Sequence, residues 1–148
     1  MNKLSIITAL LLSPAFLFAQ KAATVQSPDG NLTVHVSAKE GIPTYSVTYK
    51  EKQMLEDSPL GMVTNVGDFS QSMTLKGHKT SSIDETYTLN RAKVSNVEYK
   101  ANEMTCTFVN PKKRPIDVTF RVSNNDVAFR YALPMYGETA CCVIEKET

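Results

Sequence analysis

Apolar and polar residues alternate with a two-residue period along most of the chain, the period of strands that bury one face. In "NLTVHVSA" Leu32, Val34 and Val36 share one face, and Thr33 and His35 the other. His35 therefore reads as a solvated strand residue. The preceding "SPDG" reads as a turn through Pro28, Asp29 and Gly30. "GIP" breaks the pattern at Gly41 and Pro43, and "TYSVTYK" then aligns Tyr45, Val47 and Tyr49. This first part reads as a hairpin or meander, with both tyrosines in the core. Residues 50–82 are less regular: "QMLEDSPLGMVTNVGDF" is expected to cross between sheets, with a short strand around Met73 and Leu75. "DETYTLNRAKVSNVEYK" resumes a weak alternation, and "EMTCTFVN" sets Met104, Cys106 and Phe108 on one side.

"PKKRP", from Pro111 to Pro115, reads as a charged turn tip rather than a nucleic-acid patch. In "IDVTFRVSNNDVAFRYALP" a turn is expected at Asn124 and Asn125, residues that tolerate left-handed backbone. That turn pairs Val122 with Val127, Phe120 with Phe129 and Val118 with Tyr131. Directly opposed residues share a face, so these six point to a core while Arg121 and Arg130 point away. No segment has a helical period. The pattern predicts an all-β protein, a β-sandwich of two packed sheets.

The start, "MNKLSIITALLLSPAFLFAQ", departs from the alternation. Lys3, an apolar run from Leu4 to Phe18 and the small Ala19 have the layout of a signal peptide over residues 1–19. The run is short for a membrane span, and no cysteine follows it for lipid attachment. Export to the periplasm with no membrane anchor is the expectation, the mature chain starting near Gln20. Of 148 residues, 129 then remain as residues 20–148, enough for one domain. Without Lys3 the 16 basic residues become 15, matching 15 acidic ones, so charge gives no case for nucleic acid.

Candidate chemistry is sparse. No Gly-x-Ser-x-Gly elbow, phosphate loop or His-Glu-x-x-His occurs, and His35 and His78 both sit in polar stretches. The absence of tryptophan weakens a simple sugar-stacking module. The candidate carboxylates are the neighbours Asp84–Glu85 and the pair Glu145/Glu147 on one strand face; the i, i+2 spacing of the latter falls within range for glycoside hydrolysis, and both pairs read as solvated. Arg121 and Arg130 could bind an acid or a sugar hydroxyl, but read first as partners of a carboxylate on a neighbouring strand or domain. Cys106 reads as a small buried hydrophobe, with a bond to Cys141 or Cys142 as the alternative.

The order of the motifs carries more than any one of them. "SPDG", "GIPTYSVTYK", "SPLGM", "IDETY", "NEMTCTF" and "FRVSNNDVAFRYALP" in this series resemble the amino-terminal domain of glycoside hydrolase family 97, over about Ser27 to Thr148. Where that family commonly has Asn-Asp-Gly, this chain has Asn124-Asn125-Asp126, so a bulged turn with Asp126 in a left-handed position is the alternative to a two-residue loop. The resemblance implies a supersandwich similar to galactose mutarotase domains, incomplete at Thr148, from an exported α-glucosidase or α-galactosidase of a kind common in Bacteroidetes. It implies a downstream (β/α)8 barrel with the catalytic carboxylates and most ligands of a calcium ion. No catalytic or calcium position of the family matches a residue here, and the resemblance assigns no substrate-binding residue. The expected role is therefore barrel packing and carbohydrate contact, without activity of this chain alone. A stand-alone carbohydrate-binding or adhesive module is the alternative.

Overall fold

The computed structural model describes residues 21–89, 96–137 and 141–148; the expected signal peptide lies outside the described residues. Eleven strands and no helix are present among them. Four strands form an antiparallel meander: β1 (Ala22–Gln26), β2 (Leu32–Lys39), β3 (Ile42–Tyr49) and β4 (Lys52–Pro59). The β1–β2 turn closes as Gly30 N–H donates to Ser27 O at 2.9 Å, with the Asp29 carboxylate accepting from the Ser27 hydroxyl and the Asn31 amide. The next two links are two-residue turns with positive φ at both centres, 50° and 82° at Glu40–Gly41 and 47° and 66° at Lys50–Glu51. Positive φ at both positions matches the twist of the strands such turns join.

A small sheet follows, of β5 (Met62–Thr64), β6 (Gly67–Asp68) and the last strand, β11 (Ile144–Glu147). The second large sheet has the order β10-β9-β8-β7, from β7 (Thr74–Thr88), β8 (Asn96–Val109), β9 (Pro115–Ser123) and β10 (Val127–Ala132). The two four-stranded sheets face one another. Val34 and Val36 of the first meet Met104, Cys106, Phe108, Ile116, Val118, Phe120 and Val122 of the second, all at most 2% exposed. Burying apolar area on this scale drives the closure of the sandwich.

Three expectations need correction. The segment after Tyr49 continues the first sheet as β4 before any crossover. Residues 74–88 form one 15-residue strand where a short one was expected. A third sheet joins the two expected. The first two share a cause: β4 is exposed nearly throughout and β7 buries little besides Leu75. Their ladders, not a buried face, hold them in place.

Candidate functional site

The β9–β10 hairpin adopts the expected register, with Val122 opposite Val127, Phe120 opposite Phe129 and Val118 opposite Tyr131. The loop is the two residues Asn124 and Asn125, since Ser123 N–H donates to Asp126 O at 3.0 Å. Left-handed backbone does not make the turn: none of residues 124–126 has positive φ. The Ser123 hydroxyl closes it by accepting from the N–H groups of Asn125 (3.2 Å) and Asp126 (3.1 Å). A side-chain oxygen thereby substitutes for the special φ values that the asparagines were expected to supply. Asn124 instead accepts from the Asp29 N–H at 3.1 Å, tying this tip to the β1–β2 turn.

The inner face of the hairpin carries a chain of aromatic rings. Tyr45 lies 5.6 Å from Phe120 and 5.5 Å from Phe129, and Phe129 lies 5.6 Å from Tyr131. Phe129 is still 40% exposed, because β10 is the edge strand and nothing covers its far side among the described residues. Tyr131 reaches further, its hydroxyl accepting the Gly61 N–H at 3.0 Å. Burial pushes this phenol above its ordinary value, opposed by that hydrogen bond. Gly61 has φ 128°, and a Cβ there would stand 2.4 Å from Phe69 O, so no other residue fits. The Thr148 hydroxyl donates to Gly61 O at 2.9 Å, so one residue, Gly61, ties β10 and the residue after β11 to the start of β5. Tyr45 is part of the core as expected, whereas Tyr49 lies at the strand end, 38% exposed.

On the outer face Arg121 takes the carboxylate of Glu103 from the next strand, at 3.0 Å from Nη2 and 3.3 Å from Nε. That hydrogen bond holds the guanidinium above its ordinary value. Arg130 is exposed and has no partner among the described residues. Both arginines line a cavity of about 220 Å³ with Glu103, Thr119 and Ala128.

The other candidates do not converge. Asp84 pairs with Lys100 at 3.3 Å, and Glu85, its strand neighbour, is exposed. Glu145 and Glu147 are exposed, and a register shift between Ile144 and Lys146 breaks the alternation that would place them on one face. His35 shares a hydrogen bond with the Thr24 hydroxyl at 3.3 Å, and His78 is exposed on the opposite sheet. Cys106, Cys141 and Cys142 are all free thiols, and burial pushes Cys106 up to about 12. Sequence reasoning missed Arg114, expected at a solvated turn tip with Lys112 and Lys113. It is half-buried, donates to Val66 O and stands 5.3 Å over the Tyr136 ring. It also missed Glu56 and Asp57, which share a groove of about 370 Å³ with Ser46 and Gln53. Lys39 holds Asp57 below the usual carboxylate range by hydrogen bond and charge, so this pair is an ion-pair site rather than a proton donor. For the calcium implied by resemblance, no three His, Cys, Asp or Glu side chains converge among the described residues, so no donor set for it is present there.

The fold defines an all-β sandwich domain in which the candidate polar side chains form no convergent site among the described residues. Comparison with known proteins gives the family. The profile described as "Glycosyl-hydrolase 97 N-terminal" matches residues 25–148, and the chain belongs to that family as its amino-terminal domain. It is 30% identical to a retaining alpha-galactosidase of Bacteroides thetaiotaomicron over 132 residues, 88% of this chain and 19% of that protein. A probable retaining alpha-galactosidase of Streptomyces bingchenggensis is 30% identical over 112 residues, 72% of this chain and 18% of its own length. Among solved structures, a beta-arabinopyranosidase superposes with TM-score 0.81 at 48% identity, over 84% of this chain and 20% of that one. A family 97 enzyme from a Pseudoalteromonas strain, solved with panose, gives TM-score 0.77 at 30% identity over 84% and 19%. The chain thus spans about a fifth of the length of these relatives.

Proposed function

We propose that this chain works as the amino-terminal sandwich of an exported retaining glycoside hydrolase, packing against a downstream (β/α)8 barrel that carries the catalytic carboxylates. The observation that supports this most directly is the match over residues 25–148 to a domain making up about a fifth of much longer enzymes. The exposed Phe129 at the β10 edge and the unpartnered Arg130 beside it offer apolar and charged contact to such a barrel. Calcium, expected for the complete enzyme, would draw its donors from outside the described residues. Residues 1–19 support export, and a mature protein whose mass begins near Gln20 would establish it.

The names of the relatives narrow the substrate. The β-arabinopyranose of the L series is α-D-galactopyranose without its C6 hydroxymethyl group, so both present the same ring stereochemistry to an enzyme. With 48% identity to the arabinopyranosidase and 30% to the galactosidase, the proposal favours glycosides with an axial C4 hydroxyl over α-glucosides. The test is hydrolysis of aryl α-galactoside, β-L-arabinopyranoside and α-glucoside by the 148-residue chain and by the product of the reading frame followed past the codon for Thr148. The short chain should release no aglycone, and the longer product should prefer the first two substrates. Turnover by the short chain would overturn the assignment. A groove of about 430 Å³ lined by Thr24, Gln26, Ser81, Ser82 and Asn102 offers hydroxyl and amide contacts to a sugar. Saturable sugar binding by the short chain, with no reading frame beyond it, would favour the stand-alone module.

A further inference from the structure

We propose that Cys141, Cys142 and Met135 form a binding site for a soft monovalent metal ion, copper(I). The three residues line one cavity of about 220 Å³, together with Val66, Leu133, Pro134 and Tyr136. Adjacent residues of a strand point to opposite faces. Residues 141–143 are not strand, and both cysteines line the same cavity. The surroundings hold this arrangement from two sides. Val143, next in the chain, exchanges both backbone hydrogen bonds with Asn65, donating to its Oδ1 at 3.0 Å and accepting from its N–H at 3.1 Å. Tyr136 is stacked on Phe69 at 6.4 Å and donates its hydroxyl to Pro115 O.

The donor set selects the ion. Three sulfur-bearing residues and no acidic residue or histidine line the cavity, which disfavours hard cations that need oxygen. Zinc calls for four ligands of nitrogen, oxygen or sulfur, more than the cavity presents. Copper(I) is satisfied by two thiolates, with the thioether as a third donor. On binding, two S–H bonds break and release two protons to solvent, two Cu–S bonds form, and no oxidation state changes. The resulting bis-thiolate complex carries one negative charge, and the Arg114 guanidinium over the Tyr136 wall supplies a nearby cation. Buried Cys106 lies in the sandwich core and takes no part.

The site is independent of the glycosidase reading. Its test is an anaerobic titration of the reduced 148-residue chain with copper(I) held by bicinchoninate, a coloured competing chelator. The chain should withdraw one copper per molecule. Cys141→Ser and Cys142→Ser should each weaken binding at least about 100-fold, beyond the range for loss of a supporting contact, and Met135→Leu roughly ten-fold. All three positions are exposed, so circular dichroism of each variant should match the parent. Unchanged competition by either serine variant would overturn the site. One copper per two chains would overturn it too, by showing a bridge between molecules.

Discussion

Truncating Phe120 and Phe129 separately measures what the edge position of β10 does to the energetics of the sandwich. The two rings are opposed in the register and 5.7 Å apart, yet Phe120 is 0% exposed and Phe129 40%. Phe120→Ala removes a fully enclosed ring and leaves a void, which costs about 3–5 kcal/mol. Phe129 is three-fifths covered and its void opens to water, so only the transfer part is lost. Burying a whole phenylalanine side chain is worth about 1.5–3 kcal/mol, and three-fifths of that is about 1–2 kcal/mol. Against a total stability of about 5–15 kcal/mol, the first change is severe and the second mild. With no tryptophan in the chain, urea unfolding is best followed by far-ultraviolet circular dichroism. For a slope of about 2 kcal/mol/M the midpoint should fall by about 1.5–2.5 M for Phe120→Ala and about 0.5–1 M for Phe129→Ala. Equal shifts would refute the idea that β10 is open on its far side. A broad, uncooperative transition of the parent chain would refute the assumption that these residues form a self-sufficient core.

Gly61→Ala should cost about 3 kcal/mol or more, because its Cβ would meet backbone at 2.4 Å and 2.7 Å; soluble yield and the urea midpoint would both fall. Asp29 is held below the usual carboxylate range first by the Ser27 hydroxyl and then by Asn31. Its folded pKa is depressed, so its contribution is present above the unfolded value of about 3.9 and is lost as pH falls through the folded value. Asp29→Asn should therefore flatten the acid side of the stability–pH curve below about pH 4, read from urea midpoints across that range. Ellman's reagent at mildly alkaline pH should titrate two thiols in the folded chain, Cys141 and Cys142, and all three in urea, because the buried Cys106 thiol is pushed up to about 12. Three reactive thiols under native conditions would contradict the burial of β8.

Hydrophobic alternation reports only strands that bury a face, and this explains which parts of the fold were legible. β2, β8, β9 and the pairing of β9 with β10 follow from residues such as Val34, Cys106 and Phe120, each enclosed in the structure. β4 was missed because Met54 and Leu55 are exposed and no period emerges from "KQMLEDSP". The Lys50–Glu51 turn was also missed, since neither residue advertises the positive φ it adopts. At the candidate site, the facing directions of Arg121 and Arg130 were readable from parity alone. The partner of Arg121 was not, because Glu103 becomes its neighbour only through the β8–β9 register. Arg114 was misread for a similar reason: its contacts, Val66 and Tyr136, come from distant parts of the chain.

The hydrogen bonds at Gly61 impose a schedule on synthesis. Their acceptor and donor side chains arrive 70 and 87 residues later, with Tyr131 and Thr148. At a translation rate of about 5–20 residues per second, the Gly61 peptide waits roughly 4 to 17 s for them. The meander β1–β4 needs only neighbours already made, so it can pair while the ribosome is still working. β5 can pair with β6 early but not with β11, and for that interval its other edge is an unpaired template for other nascent chains. Chaperone attention to this protein should accordingly concentrate on the interval after Gly61 emerges and before β11 does.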